Sequence, residues 1–318
     1  MTQRGLYCAV GDFYIDPARP VDRAIITHAH SDHARRGNKS YLVHQDSLPI
    51  LRQRLGASIN LQSLDYGETL TVGGVKVSLH PAGHILGSAQ IRLEYEGWIW
   101  VVSGDYKLVN DGVCLPFEPI RCHVFITEST FALPLYTWPK QENVFADMNA
   151  WWRKNQIENK TSVILSYALG KAQRILKNLD LSIGPIYAHD TVKTINEIFR
   201  TAGHTLPEIS TLEYNTTNQD LRRALILATP ASLESEWLKQ LGPREIGLSS
   251  GRSLIQRTKK RHPSYHNFIL SDHADWPDLN HAVKLSGADK IYTMCGYSDV
   301  FARWLQETGF DAEALEAA

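Results

Sequence analysis

Short apolar runs that end in polar clusters dominate the first third of the chain. Val21–Thr27, Val75–Leu79, Trp98–Val102 and Val124–Thr127 are rich in β-branched and aromatic residues. Turn or polar residues, such as Gly73-Gly74, come before three of these runs. Runs of this composition between turn signals are typical of β-strands. The first third therefore predicts strands joined by tight turns.

After about Leu135 the apolar residues recur at helical spacing, with short strand candidates between the helical segments. Strands that alternate with helices predict a small parallel α/β unit. The pattern of the first third, with short apolar strands, then returns in two predicted strands, Asn267–Leu270 and Ile291–Met294. We predict a layered domain over residues 1–138 and 259–318, with an inserted α/β unit over 139–258. The basic segment Arg257–Pro263 marks the second boundary and is either a solvated linker or a contact to a nucleic-acid backbone.

The composition indicates that the chain can form a hydrophobic core and that it is rich in histidine. The 318 residues are 43% hydrophobic and 21% charged with a formal charge of -1, which excludes disorder and a uniformly basic surface. They include 13 histidines but only 4 cysteines, which favours imidazole and carboxylate chemistry. No apolar run reaches the roughly 20 residues that cross a bilayer, and the cysteines show no Cys-x-x-Cys spacing. We expect a cytoplasmic protein with no membrane contact.

The strongest chemical signal is the segment His28-Ala29-His30-Ser31-Asp32-His33. Four metal-ligating side chains fall within six residues, directly after a predicted strand. Imidazole and carboxylate ligands suit zinc and similar ions. Two remote segments match this chemistry: Gly83-His84 and Gly104-Asp105 each follow an apolar strand. Together they predict a metal site, and the closely spaced ligands suggest two ions.

In this order the three segments resemble the ligand motifs of the metallo-β-lactamase fold, an αββα sandwich. The resemblance implies that His28, His30 and His84 hold a first metal, that Asp32 and His33 hold a second, and that Asp105 bridges them. Asp16 lies where this superfamily has a structural aspartate. The implied cofactor is zinc, as one or two ions, with manganese or magnesium as alternatives in activity.

Two later motifs resemble the β-CASP branch, whose members cut nucleic acids. These are Thr127-Glu128-Ser129-Thr130 and Ser271-Asp272-His273-Ala274, and β-CASP proteins carry a small α/β domain between them. The whole set is similar to the bacterial ligase-associated DNA exonucleases, which are related to Artemis-type crosslink-repair nucleases. The resemblance implies DNA as substrate, as a single strand or an end, and work beside an ATP-dependent DNA ligase and a helicase.

Phosphodiester hydrolysis needs a nucleophile, charge neutralisation and a proton for the leaving oxygen. Two metals can activate water and clamp a phosphate oxygen. We predict that Asp32 belongs to this metal centre. His273 would protonate the leaving group, and Glu128 would hold the other ring nitrogen of His273.

Cys295 departs from the family pattern, in which histidine or valine is expected at this position. The thiol either ligates zinc as a thiolate or is inert and leaves the second metal site open.

Four residues are predicted to contact phosphate, and they are Ser129, Thr130, Lys171 and Ser271. Lys171 opens a predicted helix whose N-terminus favours phosphate, although simple helix entry explains it equally well.

The predicted function is a metal-dependent DNA exonuclease of DNA repair. One alternative is an RNA-processing nuclease of the β-CASP type. The other is a catalytically inactive nucleic-acid-binding subunit, against which the intact ligand set argues.

Overall fold

The computed structural model describes residues 1–211, 221–239, 241–256 and 265–315. The chain divides into two compact units, with Met1–Thr137 and Asp272–Ala318 in the first and Trp138–Ser271 in the second. The second unit therefore lies between the two parts of the first along the chain. None of the helices in the described ranges is long and apolar enough to cross a membrane.

The first part of unit 1 is mainly strands. In chain order, its strands and its α-helix are β1 (Leu6–Cys8), β2 (Phe13–Ile15), β3 (Arg23–Ile25), β4 (Ser40–His44), α1 (Leu48–Leu55), β5 (Leu61–Leu64), β6 (Thr69–Val72), β7 (Val75–Pro81), β8 (Ala89–Tyr95), β9 (Trp98–Val102) and β10 (Val124–Glu128).

Helices and strands alternate in unit 2. They are α2 (Gln141–Ile157), β11 (Thr161–Leu165), α3 (Lys171–Asn178), β12 (Ile186–Ala188), α4 (Asp190–Thr201), β13 (Ser210–Thr211), β14 (Leu225–Ala228), α5 (Glu236–Lys239), β15 (Arg244–Ser249), α6 (Ser253–Gln256) and β16 (Tyr265–Phe268). The second part of unit 1 adds α7 (Trp276–Ser286), β17 (Lys290–Met294), α8 (Ser298–Glu307) and β18 (Ala312–Ala314).

Unit 1 contains two sheets that share one core. In the described residues the first sheet has the order β1-β2-β3-β4-β5 and the second β18-β17-β10-β9-β8-β7-β6. Phe13 and Ile25 of the first sheet and Val77 and Ile91 of the second belong to the same buried cluster. Another buried cluster joins the second sheet to residues of α7 and α8, including Phe301. Sheet packs on sheet, and two helices cover the second sheet.

The strand directions of the second sheet bring several loops to one edge. Strands β9, β10 and β17 are parallel, and β7 has the same direction because β8 is antiparallel to both β7 and β9. Their carboxyl ends therefore meet at the same edge of the sheet. The segments that leave this edge carry His84, Asp105, Glu128 and Cys295.

The sheet of unit 2 is parallel throughout, with the order β13-β12-β14-β11-β15-β16 in the described residues. Its two faces are both buried, since one cluster contains Trp152 and Leu176 and the other contains Val163 and Leu238. Near-continuous apolar strands such as Thr161–Leu165 are expected when both faces of a parallel sheet are covered.

The second domain boundary differs from the predicted one. Residues 257–264, which contain the predicted boundary at 258/259 and the basic segment, lie outside the described residues. Strand β16 pairs with β15, so it belongs to the sheet of unit 2 rather than to the layered domain. The structural division falls between Ser271 and Asp272. The first division, between Thr137 and Trp138, is one residue before the predicted position.

One prediction concerns the start of helix α7. Asp275 caps it by accepting a hydrogen bond from the main-chain N–H of Asp278 at 3.0 Å. Burial, together with the negative charge of Asp275, raises the pKa of Asp278 to about 6. Because folding raises the pKa of Asp278 from 3.8 to about 6, the stabilising contribution of its protonated form is fully present below the unfolded pKa and is lost as the pH rises through about 6. Asp278→Asn should therefore be more stable than wild type at pH 8 by about 2 kcal/mol.

The measurement is urea unfolding at pH 4 and pH 8. At pH 4, close to the unfolded pKa of 3.8, the difference in free energy of unfolding should be only a small fraction of that at pH 8. An equal difference at the two pH values would mean that ionisation of Asp278 does not determine the effect.

Candidate metal centre

Asp105 is the common point of the predicted site. Its Oδ2 atom lies 3.5 Å from Nε2 of His28, 3.5 Å from Nε2 of His33, 3.8 Å from Nε2 of His84 and 3.9 Å from Nδ1 of His273. All five residues belong to unit 1. The loop after β9 thus places one carboxylate oxygen among four imidazole rings that come from three other segments.

Ligand atoms converge in two groups that share Asp105. Among the described residues, His28, His30, His84 and Asp105 each offer a ligand atom within 4.8 Å of the others. Asp105, Glu128 and His273 form the second group by the same measure. Nitrogen and oxygen ligands of this kind suit zinc and other divalent ions. The site can therefore hold a metal ion.

Hydrogen bonds on the far side of the histidine rings fix their orientation. Nδ1 of His28 lies 3.0 Å from Oγ1 of Thr27, and Nδ1 of His84 lies 2.7 Å from the main-chain oxygen of Asp272. Nδ1 of His33 lies 2.7 Å from Oδ2 of Asp16. In each ring the Nε2 atom is left to face the cluster. Metal-binding histidines usually have such an outer partner, which sets the tautomer and the direction of the ligand atom.

One buried nitrogen supports metal binding directly. Nε2 of His28 is buried and has no hydrogen-bond partner among the described residues. A buried polar atom without a partner destabilises the fold, and a metal ion would satisfy it. Burial, and then the neighbouring histidines, lower the pKa of His28 and His84 well below the usual value. The neutral imidazole is the form that binds metals. The residues present fit a bound ion.

Asp16 contacts two segments of the cluster through its carboxylate. Its Oδ1 atom accepts the main-chain N–H of Thr27 at 2.8 Å, and its Oδ2 atom accepts the Thr27 hydroxyl. The backbone of Asp16 has φ of 43°, which is uncommon for a residue with a side chain. This carboxylate ties the segment of His28 to the ring of His33.

Asp32 lies at the edge of the cluster. Its side chain is 73% exposed, and its Oδ2 atom is 3.9 Å from Nε2 of His33. Neither Asp32 nor His33 belongs to the two convergent groups of the described residues. Their predicted roles at a second metal, and the catalytic role of Asp32, stay predictions.

Cys295 lies at the end of β17 in a left-handed conformation, with φ of 64°. It is exposed and forms no disulfide. Although the residue as a whole is exposed, the surrounding protein partly desolvates its thiol, and this burial together with the charge of Asp105 raises the pKa of the thiol to about 11. The described ligand groups do not include its sulfur, so both predicted alternatives for Cys295 stay open.

Glu128 and His273 lie within hydrogen-bond distance of each other, and their predicted catalytic roles stay predictions. The two atoms Nδ1 of His273 and Oε2 of Glu128 are 2.9 Å apart, and Glu128 is 2% exposed. The other oxygen, Oε1, accepts the main-chain N–H of Tyr106 at 2.8 Å. Burial lowers the pKa of His273, but the charges of Glu128 and Asp105 outweigh it and raise this pKa to about 9. Tyr106 follows Asp105 in the chain, so one peptide connects the pair to the metal cluster.

The residues predicted to contact phosphate divide between the units. In unit 1, Ser129 is buried and its hydroxyl donates to the main-chain oxygen of Met294 at 2.9 Å, while Thr130 is half-buried. In unit 2, Lys171 and Ser271 are buried, and the main-chain oxygen of Ser271 accepts a hydrogen bond from Arg174 at 2.6 Å. All four contacts to phosphate stay predictions.

A buried ion pair beneath the site was not predicted. Lys107 and Asp111 form a salt bridge and are 2% and 6% exposed. The main-chain N–H of Lys107 donates to the oxygen of Ala82 at 3.1 Å, and Oδ1 of Asp111 accepts the N–H of Val113 at 2.9 Å. The main-chain hydrogen bond of Lys107 therefore connects the loop of Asp105 with the loop of His84, and the ion pair holds Lys107 within its own loop. The i,i+4 spacing of Lys107 and Asp111, directly after Gly104-Asp105, was the available signal in the sequence.

We expect Lys107→Met to lower the free energy of unfolding by about 3 kcal/mol, because it leaves the Asp111 carboxylate buried without its cation. Urea unfolding in the presence of a chelator measures this without a contribution from metal. The double variant Lys107→Met/Asp111→Asn should recover most of the loss, since asparagine keeps the oxygen that accepts the Val113 N–H. Lys39→Met is the control: it breaks the exposed pair of Lys39 and Asp22 and should leave the midpoint unchanged. Equal effects of Lys39→Met and Lys107→Met would contradict the prediction.

The fold and the cluster define a mixed α/β protein with a site for a metal ion. No family model matches the sequence. The chain is 28% identical over 313 residues to a protein of Opitutus terrae named "Probable DNA ligase", a match that covers 98% of this chain and 30% of that protein.

Two further relatives have names that describe ribonucleases. Similarity to "Endoribonuclease YSH1" of Gibberella zeae is 29% over 173 residues and covers 53% of this chain and 20% of the relative. Similarity to "RNase J-like protein" of Methanocaldococcus jannaschii is 30% over 185 residues and covers 50% of this chain and 43% of the relative. Both names describe nucleases that act on RNA. The chain spans less than half of the length of each.

Among solved structures, a protein of unknown function from Enterococcus faecalis matches with a TM-score of 0.65 and 13% identity. The match covers 93% of this chain and 79% of that one. At this identity the likeness concerns the fold alone.

Proposed function

We propose that this protein is a metal-dependent nuclease that hydrolyses phosphodiester bonds in DNA. The observation that carries the proposal is that Asp105 belongs both to the imidazole cluster and to the group with Glu128 and His273. A metal site and a protonated imidazole next to each other supply what phosphodiester hydrolysis needs on the two sides of phosphorus. The nuclease names of two relatives support this reaction.

The proposed fold is the αββα sandwich of metallo-β-lactamases, with Trp138–Ser271 as the inserted β-CASP domain. The core shared by the two sheets and the helices on the second sheet support it. The parallel sheet of unit 2 between the two parts of unit 1 supports the insertion.

His28, His30, His84 and Asp105 would hold the first ion, with zinc as the proposed metal. Asp32 and His33 would hold a second ion, and manganese or magnesium would serve as alternatives. A bound divalent ion supplies Lewis-acid chemistry, since it makes water nucleophilic at neutral pH and neutralises charge on the phosphodiester. The chain itself orients the ligands through Thr27, Asp16 and the main chain of Asp272.

His273 would donate the proton that the leaving oxygen needs. Its Nδ1 is held by Glu128, so the proton available to the substrate is the one on Nε2. The charge of Glu128 raises the pKa of His273 and so favours the protonated ring, and the buried Glu128 carboxylate keeps the ring in one orientation.

DNA is favoured over RNA by the extent of the similarity. The relative that matches 98% of this chain has a name that refers to DNA, whereas the two ribonuclease-named matches cover 53% and 50%. Together with the motif resemblance, this similarity supports the proposal of an exonuclease of DNA repair that acts with an ATP-dependent DNA ligase and a helicase. The names of the ribonucleases favour RNA processing as the second candidate function.

The test is hydrolysis of end-labelled DNA and RNA strands of matched sequence, single- and double-stranded, each with and without a 5′-phosphate. We expect release of mononucleotides from one end of DNA, and loss of activity with a chelator or with Asp32→Ala. Faster cleavage of RNA would transfer the proposal to the second candidate. Activity that survives both the chelator and Asp32→Ala would overturn the metal mechanism.

A further inference from the structure

The loop of residues 166–170 lies at a special position in the sheet of unit 2. It follows β11, from which the chain continues through α3 to β12, toward one edge of the sheet. From the neighbouring strand β15 the chain continues to β16 at the opposite edge. In open parallel α/β sheets, ligands bind outside the carboxyl ends of strands where the connections diverge in this way. This loop is therefore where the topology favours a ligand.

Tyr167 is the exposed aromatic residue of this loop. Its side chain is 64% exposed, whereas the residues Ser166 and Leu169 on either side are buried. The Nζ atom of Lys171 lies 4.9 Å from the centroid of the Tyr167 ring, and Lys171 itself is 5% exposed. A positively charged group over the face of an aromatic ring is attracted to that ring. The buried lysine therefore holds one face of the ring and leaves the rest of the ring to solvent.

The support beneath the ring is rigid. Helix α3 begins at Lys171, and the side chain of Gln173 accepts the main-chain N–H of Gly170 at 2.9 Å. Gly170 has φ of 89°, a conformation that suits glycine. Ala172 and Gln173 are fully buried. A ring fixed in advance loses little conformational entropy when a ligand binds.

Polar groups without partners lie at the same strand ends. The hydroxyls of Ser166 and Ser249 are buried and have no hydrogen-bond partner within the described ranges. Ser249 ends β15, and Ser166 directly follows β11, the strand that pairs with it. Buried polar groups normally have partners, and a water molecule or a ligand group at these strand ends would supply them.

We propose that Tyr167 is a base-stacking residue that binds one nucleobase of a single-stranded polynucleotide, with the positive charge of Lys171 beside the neighbouring phosphate. The proposal rests on the proposed function, because it takes the substrate to be a nucleic acid. Stacking on an aromatic ring accepts every base, since each base has a π face. Tyr167 would thus add affinity for single strands without selecting a sequence.

The experiment combines protein variants with abasic oligonucleotides. Binding of fluorescent single-stranded DNA is measured by anisotropy in a chelator, so that no cleavage occurs. In a set of otherwise identical strands, one nucleotide at a time is replaced by an abasic tetrahydrofuran residue. Wild type should bind one or two members of the set about 5- to 150-fold more weakly than the intact strand, which corresponds to the range of about 1–3 kcal/mol for a lost stacking contact.

Tyr167→Ala should bind the intact strand more weakly by the same factor, and the abasic replacement at that position should then cause no further loss. Tyr167→Phe keeps the ring and should restore both the affinity and the sensitivity to the abasic position. Ile157→Ala removes another exposed apolar side chain of the same unit, 82% exposed, and should bind like wild type. Circular dichroism establishes that each variant is folded.

Two results would overturn the base-stacking proposal without affecting the proposed function. One is wild-type affinity of Tyr167→Ala; the other is an abasic penalty that persists in full in Tyr167→Ala at every position. In both cases hydrolysis of DNA by wild type would show that the proposed function stands. If wild type neither binds nor cleaves any strand, both proposals fail.

Discussion

Asp105→Asn should reduce nuclease activity by about 10⁴-fold and remove the bound metal after dialysis. The reason is that one oxygen of Asp105 lies within 3.9 Å of a ring nitrogen of four histidines. Asparagine keeps the size of the side chain but presents no negative charge to a cation. A metal ion contributes several kcal/mol to the stabilisation of the transition state, and each factor of ten in rate corresponds to about 1.4 kcal/mol.

Two measurements check this prediction together: metal content by mass spectrometry of the dialysed protein, and turnover of labelled DNA. Asp22→Asn is the matched control, since it removes a carboxylate that is 73% exposed on the same unit. It should keep the metal and the activity of wild type. Retention of the metal by Asp105→Asn, with activity within tenfold of wild type, would refute the role of Asp105 as the shared ligand.

Local composition was enough to predict several strands. Trp98–Val102 is the same in the prediction and in the structure, and the predicted Val75–Leu79 extends to Pro81. These segments are apolar runs between turns, where the local preference and the tertiary environment agree. Val21–Thr27 is longer than the observed strand Arg23–Ile25, because Thr27 already uses its main-chain N–H to bind Asp16.

Which sheet a strand joins was harder to predict from the sequence. The sequence predicts a strand over Asn267–Leu270, and the structure has one two residues earlier, at Tyr265–Phe268. Its partner β15 is separated from it by residues that carry no pairing signal, so the pattern alone did not place it in the sheet of unit 2. Alternation of apolar residues shows that a strand forms; which edge it joins depends on contacts distant in the sequence.

In the candidate site, too, local sequence predicts some residues, while other contacts depend on residues distant in the sequence. His28, His84 and Asp105 were found because the residue types and their order resemble a family motif. The hydrogen bond from His84 to the main chain of Asp272 spans 188 residues, and any residue type offers such a carbonyl. Lys107 and Asp111 lie in a loop without periodicity, where a lysine is normally read as solvated. Burial, which only the structure shows, distinguishes this pair from surface charges.

The second large effect is expected at His273 and Glu128. His273→Ala should lower kcat by about 10³-fold, in the range for loss of a general acid, while the metal content stays that of wild type. Glu128→Gln keeps the size and one acceptor but removes the charge that raises the pKa of His273. The ring would then lose its proton at a lower pH, so kcat of Glu128→Gln should fall as the pH rises through a range where wild type is still active.

The double variant provides the decisive comparison. If Glu128 acts on the reaction only through His273, then Glu128→Gln in the His273→Ala background should cause almost no further loss, because residues that act as a unit are not additive. Additive losses would mean that Glu128 acts separately, for example on Asp105 through the N–H of Tyr106. A metal content that falls in His273→Ala would assign the ring to the metal rather than to the leaving group. The geometry, with Nδ1 of His273 at 2.9 Å from Glu128 and 3.9 Å from Asp105, favours the pair.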